Sequence, residues 1–414
     1  MARRGIAGRF PALRHPNFRR YAIGQVISLA GFWMQSVAQG WLVFRLSSQS
    51  EFALGLVAFI GYLPVFLFSP LAGVIADRID KRRLILVTQS LAMLLAFVQG
   101  VIVVSQVATV PIVAGMAFLV GLVGAFDLPI RQSFIMELVG VDDLPAAIAF
   151  NASVFNTARV VGPAVAGVIV ATAGEGPCFF LNGVSYLAAL WAIGGMTARG
   201  IARARSAGGR ASGIRSGLAY VRRRPVVAAL LLALGVVSTL ALQANVLMPS
   251  LAEKVFGRSA QGYGALLTAY GLGAVVTALR LASRQYSTAQ YRRNLLLGLL
   301  GMALGLGVVA GSTRYEMALA GQLLAGFGML RYTATTNALV QLLVEDDHRG
   351  RVMGLHTVMF AGAAPFGALL LGSIGERAGP QAALVVSGAG AVLVAMWLAR
   401  RLPRDLFAPA EGFP

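Results

Sequence analysis

The sequence predicts an all-α integral membrane protein: twelve transmembrane helices in two pseudo-symmetric six-helix bundles. Three observations predict it. Of 414 residues, 57% are hydrophobic, a further 49 are glycine and only 12% are charged, where a soluble domain carries about 25% charged residues. Apolar segments near the ~20 residues needed to cross a bilayer recur along the chain. Lysine and arginine alternate between loops in a biased way. The composition excludes disorder, which needs low hydrophobicity, and the glycines lack the period of three that collagen needs.

The first span is expected at 21–44, behind a basic N-terminus carrying Arg3, Arg4, Arg9, Arg14, Arg19 and Arg20. It is longer than the ~7–15-residue apolar core of a signal peptide and has no Ala-x-Ala exit. Spans two to six are expected at 54–76, 84–105, 110–136, 144–173 and 177–197. The composition then shifts: 198–225 is polar and Arg-rich and reads as a cytoplasmic linker, its second half a surface helix stopping at Pro225. Spans seven to twelve follow at 226–251, 261–283, 294–311, 316–343, 352–375 and 381–399. The expected domains are 1–197, the linker 198–225, and 226–414 with a short cytoplasmic tail.

The net charge of +19 comes from 35 Lys+Arg against 16 Asp+Glu. With the N-terminus inside, inner loops and tails collect 27 of the basic residues, outer loops five, and three lie inside spans: Arg131, Arg159 and Arg331. This positive-inside bias sets both topology and orientation, with both termini cytoplasmic. It accounts for the charge without a nucleic-acid partner and leaves room for inner arginines to touch anionic membrane lipids.

The chain has one cysteine, Cys178, so no intramolecular disulfide. His15, His348 and His356 lack metal-site spacing, so no metal is expected. Neither Lys81 nor Lys254 follows a phosphate-binding glycine loop. No nucleophile–base pair suggests an enzyme, and no cofactor is expected.

The halves repeat. ELVGVDDLPAAIAF near the end of span four matches LLVEDDHRGRVMG near the end of span ten, with Asp142-Asp143 and Asp346-Asp347 offset by 204 residues. The helices that follow carry Pro163 and Pro365. These acids are expected to start spans five and eleven at helix N-termini. Two like-oriented six-helix halves suit transport by rocking about a central site.

After span two the chain reads GVIADRIDKRR at 73–83. Gly73, Asp77, Arg78, Lys81 and Arg82 in it resemble the loop 2–3 motif of the major facilitator superfamily, G-x-L-a-D-r-x-G-r-k. Asp80 stands where the general motif has Gly. HPNFR at 15–19, GFWMQ at 31–35, ARVVGP at 158–163 and GLAYVRRRP at 217–225 are similar to the branch containing enterobactin exporters and macrolide efflux pumps. The resemblance implies the major facilitator fold, a cavity lined by spans one, four, seven and ten, and a loop that latches the halves. Gly162, Pro163 and Gly167 in span five resemble the family's antiporter motif, which implies export. The same residues also read as small-residue helix packing with a tolerated kink.

Charges inside a span cost at least ~2.5–3.5 kcal/mol each. Asp127 and Arg131 are i,i+4 neighbours about 17 residues into span four, ~25 Å along it. Arg159 reaches comparable depth in span five, and Arg331 stands at Asp127 plus 204. By the resemblance, Asp127, Arg131 and Arg331 face the cavity. Three readings stay open: proton coupling at Asp127, a fixed ion pair, or direct substrate contact. On span one, Gln25, Ser28, Phe32, Gln35 and Gln39 share one face, with Trp33 beside it. With Gln243 and Asn245 on span seven, these are cavity candidates or interhelical hydrogen-bonding residues.

The combined expectation is an inner-membrane, proton-coupled efflux transporter for an amphipathic small molecule, working as a monomer on the proton gradient. A lipid or metabolite transporter working in another direction, and a non-transporting sensor or scaffold, are the alternatives.

Overall fold

Proline marks where many of the helices begin. The computed structural model describes the backbone at 11–76, 79–196, 213–282 and 288–403, and the side chains there except at 70–76, 213–215, 282 and 288–289. Within these residues, a 3₁₀ turn at Pro11–Arg14 precedes α1 (Pro16–Leu46), α2 (Glu51–Ala76), α3 (Lys81–Val104), α4 (Val110–Val139), α5 (Leu144–Ala173) and α6 (Gly176–Gly194). The expected linker helix is α7 (Gly213–Arg222). Then come α8 (Pro225–Leu240), α9 (Ala260–Ala282), α10 (Thr288–Gly311), α11 (Tyr315–Leu343), α12 (Asp346–Ala361), α13 (Ala364–Ala378) and α14 (Pro380–Arg401). Pro16, Pro111, Pro145, Pro177, Pro225, Pro365 and Pro380 all sit in the first two positions of their helices. There the missing N–H costs nothing and the fixed φ is already helical.

Eleven stretches among the described residues are long and apolar enough to cross a membrane. The remaining expected span, α11, has 29 residues but carries Arg331 and a polar Thr-Ala-Thr-Thr-Asn run. Two spans are interrupted. Span seven stops as regular helix at Leu240 and continues through a 3₁₀ turn at Ala244–Leu247, an α turn at Met248–Ser250 and a π turn at Leu251–Val255. Pro249 cannot donate to Asn245, so the regular ladder fails just ahead of it. Span eleven divides at Gly362, where Pro365 has no N–H to return to Ala361. By contrast α4 and α5 run unbroken through Pro129 and Pro163.

The chain forms two units. The first holds 1–49, 60–208 and 258–268; the second holds 50–59, 209–257 and 269–414. Relative to halves cut at the linker, the first ten residues from Ser50 and a segment from Arg258 to Thr268 are exchanged. In the first unit α1 packs on α5 and α6, and α3 on α4 and α6. In the second unit α8 packs on α13 and α14, and α10 on α11 and α14. In span numbers the first set is 1·5, 1·6, 3·4 and 3·6, and the second is 7·11, 7·12, 9·10 and 9·12. Every pairing recurs six spans later, so the repeat in the sequence is a repeat in packing.

The acid doublets sit at helix starts. Asp143 flanks α5 and its carboxylate takes His15 Nε2 at 2.7 Å. Asp346 opens α12 and pairs with Arg349 at 2.6 Å. Asp80, the departure from the general motif, caps α3: its side chain accepts from the backbone N–H of Arg83 at 3.2 Å.

Candidate functional site

The polar centre of the first unit is built on α4. Asp127 and Arg131 lie one turn apart on either side of Pro129. Arg131 Nε donates to Asp127 Oδ2, and the side chains are 11% and 17% exposed, respectively. From α3, Thr88 donates its hydroxyl to Asp127 Oδ1 at 2.6 Å and Gln89 its amide at 3.0 Å. Arg131 also donates through Nη1 to Gln25 Oε1 on α1. The carboxylate thus collects donors from two helices and the guanidinium acceptors from two.

The polar face of α1 divides. Gln25, Ser28 and Gln35 are buried. Gln35 accepts from Asn182 on α6 at 2.5 Å and donates to Gln99 on α3 at 3.5 Å, and Gln99 donates to Gln39 at 3.4 Å. These amides tie three helices together. Phe32 is 42% exposed. Thr88, Gln89, Gln99 and Asn182 were not among the candidates from sequence. Their signal is an amide or hydroxyl inside an apolar span, which demands a partner without naming it.

Arg159 on α5 lies among aromatic rings. Its Cζ is 5.1 Å from the Trp33 ring centre and 5.0 Å from that of Phe155. Gly162 makes this possible: a Cβ there would meet Ala30 O and Met34 N at 3.0 Å and collide with Trp33 Cβ. The bare glycine lets α5 close on α1. One turn on, Pro163 and Gly167 pack against Gly264, with Pro163 O only 2.5 Å from a Cβ placed on Gly264. The span-five motif is therefore a packing surface that also sets Arg159 against Trp33.

In the second unit Arg331 donates to Asn294 Oδ1 on α10 at 2.6 Å and lies 5.7 Å from the Phe327 ring. Gln243 and Asn245 sit where span seven loses its helix, and Asn245 Oδ1 is buried without a hydrogen-bond partner.

Of the loop motif, Gly73 lies in the last turn of α2, and Asp77 and Arg78 fall outside the described residues. Lys81 forms a 2.6 Å ion pair with Glu137 of α4, both side chains at or below 10% exposure. Arg82 donates to Ile193 O at 3.0 Å and Gly194 O at 2.7 Å, satisfying carbonyls at the end of α6. The start of α3 is thereby pinned to the ends of α4 and α6. Among the described residues no group of three or more His, Cys, Asp or Glu could hold a metal ion.

Residues 7–406 match the transmembrane secretion effector family. The staphyloferrin A transporter of Staphylococcus aureus is 25% identical, over 88% of this chain and 91% of its own. The multidrug efflux pump Tap of Mycolicibacterium fortuitum is 27% identical over 91% and 94%, and the macrolide efflux protein A of Streptococcus pyogenes 21% identical over 90% and 93%. The fold is that of a bacterial homologue of the human lysosomal transporter Spinster, with a TM-score of 0.76 at 12% identity over 96% and 99% of the two chains. A D-xylose–proton symporter aligns with a TM-score of 0.71 at 14% identity over 94% and 99%.

Proposed function

Given that the chain belongs to the transmembrane secretion effector family, a branch of the major facilitator transporters, we propose that it exports an amphipathic small molecule in exchange for protons. It is a multi-pass membrane transporter and not an enzyme. In this reading it sits in the bacterial inner membrane as a monomer with both termini in the cytoplasm, and the proton gradient takes the place of a cofactor. Export is favoured by relatives whose names are efflux proteins and by the Gly162–Pro163–Gly167 motif.

The observation that carries the proton reading is the carboxyl of Asp127, held by Arg131 from its own helix and by Thr88 and Gln89 from α3. Arg131 travels with α4 whatever that helix does. The two neutral donors belong to α3, so the acid is shared between two helices. In this reading the carboxyl carries the coupled proton as access alternates. Alternation of access with this exchange makes proton entry drive export.

A susceptibility panel in a pump-deficient bacterial host tests this. Cells producing the wild type are compared with cells producing Asp127→Asn at matched membrane levels. Protection by the wild type that is lost in the variant is expected. Protection that persists in Asp127→Asn would reduce the acid to a structural role.

A further inference from the structure

Outside the polar centres, the densest uncompensated charge in the second unit lies where α10 begins and α14 ends. We propose that these paired ends bind the phosphate of an anionic phospholipid, whose acyl chains lie along exposed leucines of the two helices. The inference rests on the membrane-spanning fold and not on the export reading.

Four observations carry it. First, Arg292 and Arg293 lie early in α10, and Arg400 and Arg401 close α14. Arg293, Arg400 and Arg401 are exposed. Among the described residues no acid pairs with any of the four, whereas Arg45, Arg224 and Arg349 each meet a carboxylate. Second, the two ends are joined: Arg292 Nη2 donates to Ala399 O at 2.7 Å. The first unit makes the same cap of span three on span six, but there Arg82 gives both Nε and Nη2 to carbonyls. Arg292 gives one N–H group, and its Nε has no partner. The cap in the second unit is therefore a guanidinium with a donor to spare, next to Arg293 and one residue from Arg400. Third, each helix carries an exposed apolar stripe leading to the arginines. On α10, Leu304, Leu300 and Leu297 run to Arg293, and on α14 Leu393 and Trp397 run to Arg400. Steps of three and four residues keep each set on one helix face. The two helices pack on one another, and both are apolar enough to cross a membrane. Fourth, Trp397 is 37% exposed one turn before the arginines. Tryptophan favours the headgroup level of a bilayer, which sets the guanidiniums at the height of the phosphates.

The charge selects the lipid. A guanidinium matches the oxygens of a phosphate in pairs, and basic clusters between spans hold anionic headgroups. A zwitterionic headgroup also brings an ammonium, for which this cluster offers no carboxylate.

The test places the full chain in phosphatidylcholine vesicles with a minor fraction of brominated lipid. That lipid is either phosphatidylglycerol or phosphatidylethanolamine with the same dibrominated acyl chains. Bromine quenches tryptophan at contact, and subtracting the signal of a matched Trp397→Phe chain isolates Trp397. Phosphatidylglycerol is expected to bind beside Trp397 about tenfold more tightly than phosphatidylethanolamine, the scale of one charged hydrogen bond. The triple variant Arg293→Gln/Arg400→Gln/Arg401→Gln changes only exposed side chains and is expected to abolish the preference. Arg222→Gln/Arg223→Gln, at the exposed end of α7, is expected to retain it. Equal quenching by the two lipids in the wild type, or a preference that survives the triple variant, would overturn the proposal. So would a preference lost equally in the α7 variant, or quenching relieved by inorganic phosphate, which would mark a free-phosphate site. Export is not measured, so the susceptibility panel succeeds or fails separately.

Discussion

Asp127 and Arg331 stand 204 residues apart at equivalent places in the repeat, and each is held by an amide from the preceding helix. Gln89 donates to Asp127 at 3.0 Å, and Asn294 accepts from Arg331 at 2.6 Å. A carboxamide offers both a donor and an acceptor, so an amide on the preceding helix can hold either sign of charge. The carboxyl lies in the first unit and the guanidinium in the second.

The buried Lys81–Glu137 pair gives a stability prediction. Removing one partner leaves a charge without compensation at or below 10% exposure. Lys81→Met is expected to cost about 3–5 kcal/mol, and the double variant Lys81→Met/Glu137→Leu markedly less, because no lone charge remains. Thermal unfolding in detergent reads both. A loss in the double variant equal to the sum of the losses in Lys81→Met and Glu137→Leu alone would show that the pair is not coupled.

The spans were legible because apolar length is a one-dimensional signal. The Asp127–Arg131 pair was legible because i,i+4 spacing is local. Thr88, Gln89 and Gln99 were not, since which amide meets which acid depends on the packing of α3 against its neighbours. Prolines alone did not announce the breaks in spans seven and eleven: Pro129 and Pro163 are tolerated where Pro249 and Pro365 coincide with interruptions. The partnership of Arg159 with Trp33 joins residues 126 apart through a glycine contact, and no periodicity carries that information.

Gly162 is the contact that seats α5 on α1. Gly162→Ala is expected to lower stability by about 1–3 kcal/mol through overpacking, and to reduce export more than Gly115→Ala, where an added Cβ meets nothing within 4 Å. Unfolding temperature and drug protection measured on both variants check this. Equal behaviour of the two would contradict the packing role.

Phe32 and Gln35 separate recognition from support on one helix. Phe32 is exposed, whereas Gln35 is buried and bonded to Asn182 and Gln99. Phe32→Ala is expected to change which compounds are exported at unchanged stability. Gln35→Leu is expected to cost about 1–3 kcal/mol by stranding its partners, with the compound profile intact. Susceptibility profiles and melting curves of the two variants distinguish these outcomes.

The most direct measurement follows protons in liposomes containing the purified transporter and a pH-sensitive dye inside. A compound found active in the susceptibility panel is placed on the cytoplasmic face, and the dye reports proton movement as the compound crosses. Counter-directed proton flow that depends on the compound and is lost in Asp127→Asn is the expected result. Compound movement at the same rate without proton flow, or proton flow undiminished in Asp127→Asn, would contradict the assignment of Asp127 as the coupling carboxyl.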